Sequence, residues 1–294
     1  KLSILRPQSY RATVSDDDLS GRIVVSWEVT PRAMLYASYA RAGKSGGVNM
    51  SGLPLDASNQ PALNSAVVRP EKNVALEVGV KSRLLEDRLV LNLDAFQTTI
   101  RDFQTNVVDS GPGALRGYLA NIERVRVEGI ELDSRAQLTS NLSLAASASW
   151  TDARYLSYRN GPCPLEQIGT VTTVCDLSGK SLSALPKTAW SLGADFLRPI
   201  GSDLSLFAHA DALGRTKVFG DPTDSQYTQL PAYFLVNARV GLRTRSGMEV
   251  SIWARNLFEA HYLQNVTVQA GNSGLIVGTP GDPRTLGMTL RAQY

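Results

Sequence analysis

The sequence predicts an all-β protein, a transmembrane antiparallel β-barrel with about eleven strands present. Three observations predict it. The last twelve residues, 283–294 (PRTLGMTLRAQY), alternate: Leu286, Met288, Leu290, Ala292 and Tyr294 on one parity, Gly287, Thr289, Arg291 and Gln293 on the other. That is the period of a strand with one apolar and one polar face. The same alternation recurs upstream. The connections between repeats alternate short and long. In a soluble sandwich the polar face would meet water outside. In a barrel that spans an outer membrane the apolar face meets lipid and the polar face lines a wet interior. Short turns on one side with long loops on the other favour the barrel.

Taken in order, strands are expected near residues 20–29, 33–42, 71–83, 88–104, 118–136, 142–156, 186–198, 204–215, 231–243, 249–258 and 284–294. Val74, Leu76, Val78 and Val80 oppose Ala75, Glu77, Gly79 and Lys81. Leu89, Leu91, Leu93 and Ala95 oppose Val90, Asn92, Asp94 and Phe96. Leu142, Leu144, Ala146, Ala148 and Trp150 face away from Ser143, Ala145, Ser147, Ser149 and Thr151, and Trp190, Leu192, Ala194 and Phe196 oppose Ser191, Gly193 and Asp195. Phe234, Val236, Ala238, Val240 and Leu242 oppose Asn237, Arg239, Gly241 and Arg243. The short connections are 29–33, 84–88, 138–142, 199–203 and 244–248; the long ones are 43–68, 106–120, 157–184, 216–229 and 263–282. Parity breaks at Asn256, so a bulge is expected there, with Phe258 and Tyr262 at the outer interface. An aromatic Tyr294 ending the last strand suits an assembly signal at the barrel seam. An odd strand count does not close an antiparallel barrel, so the chain reads as an N-terminally truncated piece of a larger one. A complete small barrel of about twelve strands is the alternative.

Composition narrows the function classes. The chain has 294 residues, 43% of them hydrophobic, and a net charge of +3, too mild to point to nucleic acid. Mean hydropathy is −0.11, and no apolar run approaches the length of a membrane helix. No catalytic constellation is present: there is no G-x-S-x-G elbow and no paired metal histidines, and His209 and His261 stand alone. No metal or cofactor site is expected. The triplet Asp16, Asp17 and Asp18 lacks calcium-loop spacing, and 111–117 (GPGALRG) lacks the spacing of a nucleotide fingerprint. Cys163 and Cys175 share one long loop on the oxidising side, so a disulfide is expected. The charged polar face, including Glu77, Lys81, Asp94, Glu131, Asp133, Arg135, Asp195, Asp211, Arg239, Arg243, Arg255 and Arg291, reads as cross-strand pairs along a wet wall, with some contacts to a plug.

Several segments together carry a resemblance. Residues 254–262 (ARNLFEAHY), 281–294 (GDPRTLGMTLRAQY), 35–49 (LYASYARAGKSGGVN), 69–104 (RPEKNVALEVGVKSRLLEDRLVLNLDAFQTTIRDFQ) and 125–133 (VRVEGIELD) resemble, in the same order, the barrel motifs of TonB-dependent outer-membrane receptors. The resemblance implies that residues 1–294 are the C-terminal half of a 22-stranded barrel. The family's plug domain and TonB box have no counterpart in these residues. It further implies active uptake of a scarce nutrient, most often a ferric siderophore or similar metal chelate, across the outer membrane of a Gram-negative bacterium. The implied partners are the TonB complex, reached through the missing N-terminal part, the barrel assembly machinery and outer-membrane lipid. A passive porin-like channel is the competing function. Solute recognition is expected on the long-loop side, from Arg41, Lys44, Arg154, Tyr155, Arg215, Lys217, His261 and Tyr262. Cations and aromatics together suit an anionic or catecholate-like chelate.

Overall fold

The computed structural model describes residues 8–50, 52–56, 58, 60–108, 117–167, 174–269 and 275–292. The Tyr294 assembly signal lies outside the described residues, as does most of the stretch 111–117. The strands are β1 (Gly21–Thr30), β2 (Ala33–Lys44), β3 (Gly47–Val48), β4 (Val67–Val68), β5 (Glu71–Leu84), β6 (Leu89–Val108), β7 (Gly117–Gln137), β8 (Leu142–Ser157), β9 (Thr188–Ile200), β10 (Leu204–Arg215), β11 (Val218–Phe219), β12 (Gln229–Leu230), β13 (Tyr233–Thr244), β14 (Glu249–Arg255), β15 (Leu263–Val268), β16 (Ile276–Pro280) and β17 (Thr285–Arg291). Eleven of them form one antiparallel sheet in the order β1-β2-β5-β6-β7-β8-β9-β10-β13-β14-β17. Each neighbour in the sheet is the next long strand in sequence, a simple meander.

Register carries the alternation across the sheet. One row runs Trp27, Leu35, Val80, Leu93, Leu132, Ala148 and Trp190; the next runs Val25, Ala37, Val78, Ala95, Ile130 and Trp150. At the other side, Ala208, Val240, Ile252 and Met288 are partners. Leu76, Val78, Ile130, Leu192, Ile252 and Met288 are all exposed. No protein covers this apolar face among the described residues, which is what a lipid-facing wall requires.

The opposite face is polar and carries several internal pairs. Glu249, with its side chain only 3% exposed, binds Arg239 and, at 2.7 Å, Arg243. Asp195 meets His209 Nδ1 at 2.7 Å, and the Tyr36 hydroxyl donates to Glu77 at 2.6 Å. Aromatics on the sheet lie flat across glycines on the adjacent strand. Tyr36, Phe96, Phe207 and Trp253 are the register partners of Gly79, Gly129, Gly241 and Gly287, and Trp190 does the same with Gly214 on the apolar face. A Cβ on Gly79 would sit 2.6 Å from the Tyr36 ring, so only glycine leaves room for the ring.

Several boundaries differ from those expected. β6 runs to Val108 and β7 begins at Gly117, so both ends of the loop expected at 106–120 are strand, and residues 109–116 lie outside the described residues. β14 ends at Arg255 instead of continuing through a bulge. Asn256, at φ 45°, closes the strand: its Nδ2 donates to the Ala260 and Asp282 carbonyls at 2.9 and 3.0 Å, and its Oδ1 accepts from Ala260 N–H at 2.8 Å. Asparagine tolerates that left-handed backbone better than most residues. The long loops hold three small hairpins, β3–β4, β11–β12 and β15–β16. Finally, β1 and β17 are the two edges of the sheet and do not pair among the described residues, so these strands do not close into the small-barrel alternative.

Candidate functional site

The long loops gather at one end of the sheet, where they pack over the polar face. Ile122, Val125, Tyr155, Tyr158 and Leu177 make a buried apolar cluster there. The Tyr155 and Tyr158 rings sit 5.1 Å apart at a tilt of 57°. Beside them is a cavity of about 370 Å³, lined by these two rings and by Thr105, Asn106, Asp221 and Thr223. Cys163 also lines it and is joined to Cys175, Cα to Cα 5.0 Å. The disulfide ties the strand-like turn at Gly161 to Cys175, where the two backbones exchange hydrogen bonds at 2.9 Å.

The loop between β10 and β13 is built by side chains that imitate backbone partners. Asp221 accepts from Thr223 N–H at 2.7 Å and from the Thr223 and Thr228 hydroxyls. Glu166 accepts from Gln226 N–H at 2.8 Å, linking this loop to the one that carries the disulfide. Partial burial works against the Glu166 carboxylate, but hydrogen bonds from its own N–H, Gln226 and Ser225 hold its pKa below the usual range. Asp224 behaves oppositely. Burial raises its pKa, and Asp221 adds to the rise against Lys180 and Lys187. Its Oδ2 accepts from Ser181 N–H at 3.3 Å, while its buried Oδ1 has no hydrogen-bond partner. Burial also raises the Tyr158 phenol, keeping it a neutral donor at any physiological pH.

A second cluster stands at the upper end of β10 and β13. The Arg215 guanidinium lies over the Tyr233 ring at 4.6 Å, and Tyr233 stacks on Tyr262 at 4.4 Å. Tyr262 is held by Gly281, whose N–H donates to its carbonyl at 2.8 Å and whose missing side chain makes room for the ring. A cation at one end of a two-phenol stack offers charge and stacking to a flat anionic ligand.

The structure sorts the expected ligand residues into three groups. Arg215 and Tyr262 meet through Tyr233, and Tyr155 reaches the cavity. Tyr262 is therefore on the polar side and not at the outer interface. Lys44 pairs in register with Glu71 on the polar face, Lys217 lies 5.8 Å over the Phe219 ring, and His261 is exposed between β14 and β15. Arg41 and Arg154 do not join the site. Arg41 follows Leu35, Ala37 and Tyr39 by steps of two, and Arg154 follows Trp150 and Asp152, so both are on the apolar face. Arg154 is spent on Asp152, 2.7 Å away. Tyr233, Tyr158 and Asp221 were missed: a tyrosine beginning a strand and a loop aspartate carry no periodic signal, although the Asp221–Thr223 spacing is that of an Asx-turn.

Residues 5–257 match the family described as TonB dependent receptor-like, beta-barrel. The metal-pseudopaline receptor CntO of Pseudomonas aeruginosa is 27% identical over 275 residues, 93% of this chain and 33% of that protein. The catecholate siderophore receptor Fiu of Escherichia coli K12 is 23% identical over 268 residues, 91% of this chain and 32% of its own length. Among solved structures, the ferric yersiniabactin uptake receptor FyuA from Yersinia pestis superposes with a TM-score of 0.73 at 16% identity, over 95% of this chain and 38% of that one. The chain thus spans about a third of the length of the curated relatives it matches.

Proposed function

This chain belongs to the TonB-dependent receptor β-barrel family, whose members are transport receptors of the Gram-negative outer membrane, and from that premise we propose that it is the C-terminal part of the barrel wall of an active uptake receptor for an anionic metal chelate of the siderophore class. The supporting observation is the pairing of relatives named for pseudopaline and catecholate chelates with a recognition surface of matching chemistry. That surface is the Arg215–Tyr233–Tyr262 stack and the tyrosine-lined cavity beside it. The family's plug and TonB contact would be supplied by sequence other than these 294 residues. The receptor's role is binding and passage, with no covalent step on the solute. On the polar face Glu249 pairs with Arg239 and Arg243, and Asp195 with His209, which supports a charged, hydrated wall between the loops and the opposite rim.

Binding by the full-length receptor across ferric siderophores, cobalamin and neutral oligosaccharides tests this reading. Changing Arg215→Ala or Tyr233→Ala is expected to weaken binding of the preferred chelate about tenfold, the loss of one charge-assisted or stacking contact. Preference for a neutral sugar, or unchanged affinity in both variants, would overturn it.

A further inference from the structure

The polar face does not share its charges evenly. On β13, β14 and β17 that parity carries four arginines, Arg239, Arg243, Arg255 and Arg291, against one carboxylate, Glu249. Both oxygens of Glu249 are taken, one by Arg239 and the other by Arg243 at 2.7 Å. Arg291 is the register partner of Glu249, yet neither it nor Arg255 makes an ion pair among the described residues, and both are exposed.

These two guanidiniums line a hollow of about 280 Å³ on the wall. Trp253 gives it a rigid aromatic surface. The ring lies across Gly287, its indole N–H donates to the Thr289 hydroxyl at 3.1 Å, and the Arg255 guanidinium stands 5.5 Å from its centre. The one carboxylate in the lining, Asp211, accepts from the Asn237 amide at 2.7 Å and lies 3.4 Å from His209 Nε2. Cations without a carboxylate of their own, set in a concave wall, concentrate their field on the space between them. Guanidiniums present paired donors to an anionic oxygen pair, and the fixed ring offers a face for stacking.

The hollow also lies in line with the loop cluster. Tyr233, the partner of Arg215, begins β13, and Arg239 and Arg243 follow on the same strand about 20 and 34 Å further down. Trp253 pairs with Arg239, Arg255 stands one row above it, and Arg291 lies level with Arg243 through Glu249. Guanidiniums therefore descend from the loops toward the opposite rim in steps of about 7–14 Å. Passage needs several sites, each strong enough to admit an ion and weak enough to release it.

We propose that this hollow is a second anion site, a waypoint on the wall for the chelate once it leaves the loops, with Arg255 and Arg291 as its contact residues. The site rests on the uptake reading above and adds to it the side of the wall that the solute follows.

Full-length receptor in outer-membrane vesicles can carry Thr285→Cys, opposite Arg255, or Ser149→Cys, opposite Glu131. Each thiol is reacted with anionic sulfonatoethyl methanethiosulfonate and with its cationic trimethylammonioethyl counterpart. The ratio of anionic to cationic rates is expected to be at least about tenfold higher at Thr285→Cys than at Ser149→Cys, and to fall about tenfold on adding Arg255→Gln/Arg291→Gln. In cells, the same double change should slow energised uptake of the preferred ferric siderophore about tenfold with its equilibrium affinity at the loops kept, and Arg255→Lys/Arg291→Lys should restore much of the rate. Equal ratios at the two positions, a ratio indifferent to the arginines, no reaction at Thr285→Cys with either reagent, or unchanged uptake overturns this site alone. Preference of the wild-type receptor for a neutral sugar overturns it together with the reading beneath it, and shows in the solute panel instead of the thiol rates.

Discussion

At the scale of single residues, the loops are held by polar side chains that complete otherwise open backbone groups. Asn49 bonds the Leu119 carbonyl and N–H at 2.9 Å each, and Gln104 reaches the Ser45 and Arg69 carbonyls at 2.9 and 3.1 Å. Asp224 is the exception, a half-buried carboxylate with its buried Oδ1 unpartnered and a backbone φ of 55°. Because burial raises its pKa, the folded loop holds a proton that the unfolded loop has released once pH exceeds the usual carboxylate range. Its contribution is therefore most favourable at low pH and declines as pH rises through the raised value. Glu166 has the opposite sign and acts below the usual glutamate range, where its lowered pKa costs stability on acidification. Asp224→Asn keeps the left-handed backbone and removes the charge. It should protect this loop at neutral pH by up to about 1 kcal/mol. Limited proteolysis of folded receptor across pH 4–8 checks this: the wild-type cleavage rate rises with pH in that window, and the variant's stays level. None of this was legible beforehand. Asp224 and Asn256 act through contacts with residues distant in sequence, whereas the parity break near Asn256 marked the place without revealing the cap.

At the scale of elements, all eleven long strands were legible, because each keeps one apolar parity over seven residues or more. The three loop hairpins were not. Two-residue pairs such as β3 with β4 have no period to read. The cationic upper ends of β2 and β8 were visible as charges, but their face was not, since Arg154 and Tyr155 are adjacent and point opposite ways. The Cys163–Cys175 bridge closes a short segment, 12 residues apart, of the loop that walls the cavity. On the loop-entropy account such a ring is worth about 2–3 kcal/mol. Reduction, or Cys163→Ser with Cys175→Ser, should therefore leave the barrel's heat-modifiable mobility intact. The loop between β8 and β9 should become protease-sensitive, and chelate affinity should fall about tenfold through the loosened cavity wall. Equal protease resistance before and after reduction would show that packing by Leu177 and Tyr158 holds the loop unaided.

At the scale of the whole molecule, the sheet has two free edges among the described residues, β1 and β17, each presenting a row of unpaired backbone N–H and C=O groups. Open edges recruit other chains. These 294 residues expressed alone are expected to associate through those edges and to give no monodisperse monomer in detergent; light scattering on refolded material distinguishes the outcomes. The odd number of strands pointed to an unclosed set, while the family's full circumference could come only from resemblance. Assembly raises a different difficulty. A strand that slips by one residue turns its apolar side to water and is rejected at once. A slip of two keeps every side chain on its proper face, so neither lipid nor water can detect it. The rings laid across glycines can. Two residues along, Tyr36 would meet Glu77 or Lys81 in place of Gly79, Phe207 would meet Arg239 or Arg243, and Trp253 would meet Thr285 or Thr289. Placed on separate strand pairs around the wall, these bare positions work as the teeth of a ratchet, admitting one alignment and leaving the error that solvent cannot see with nowhere to put its aromatic.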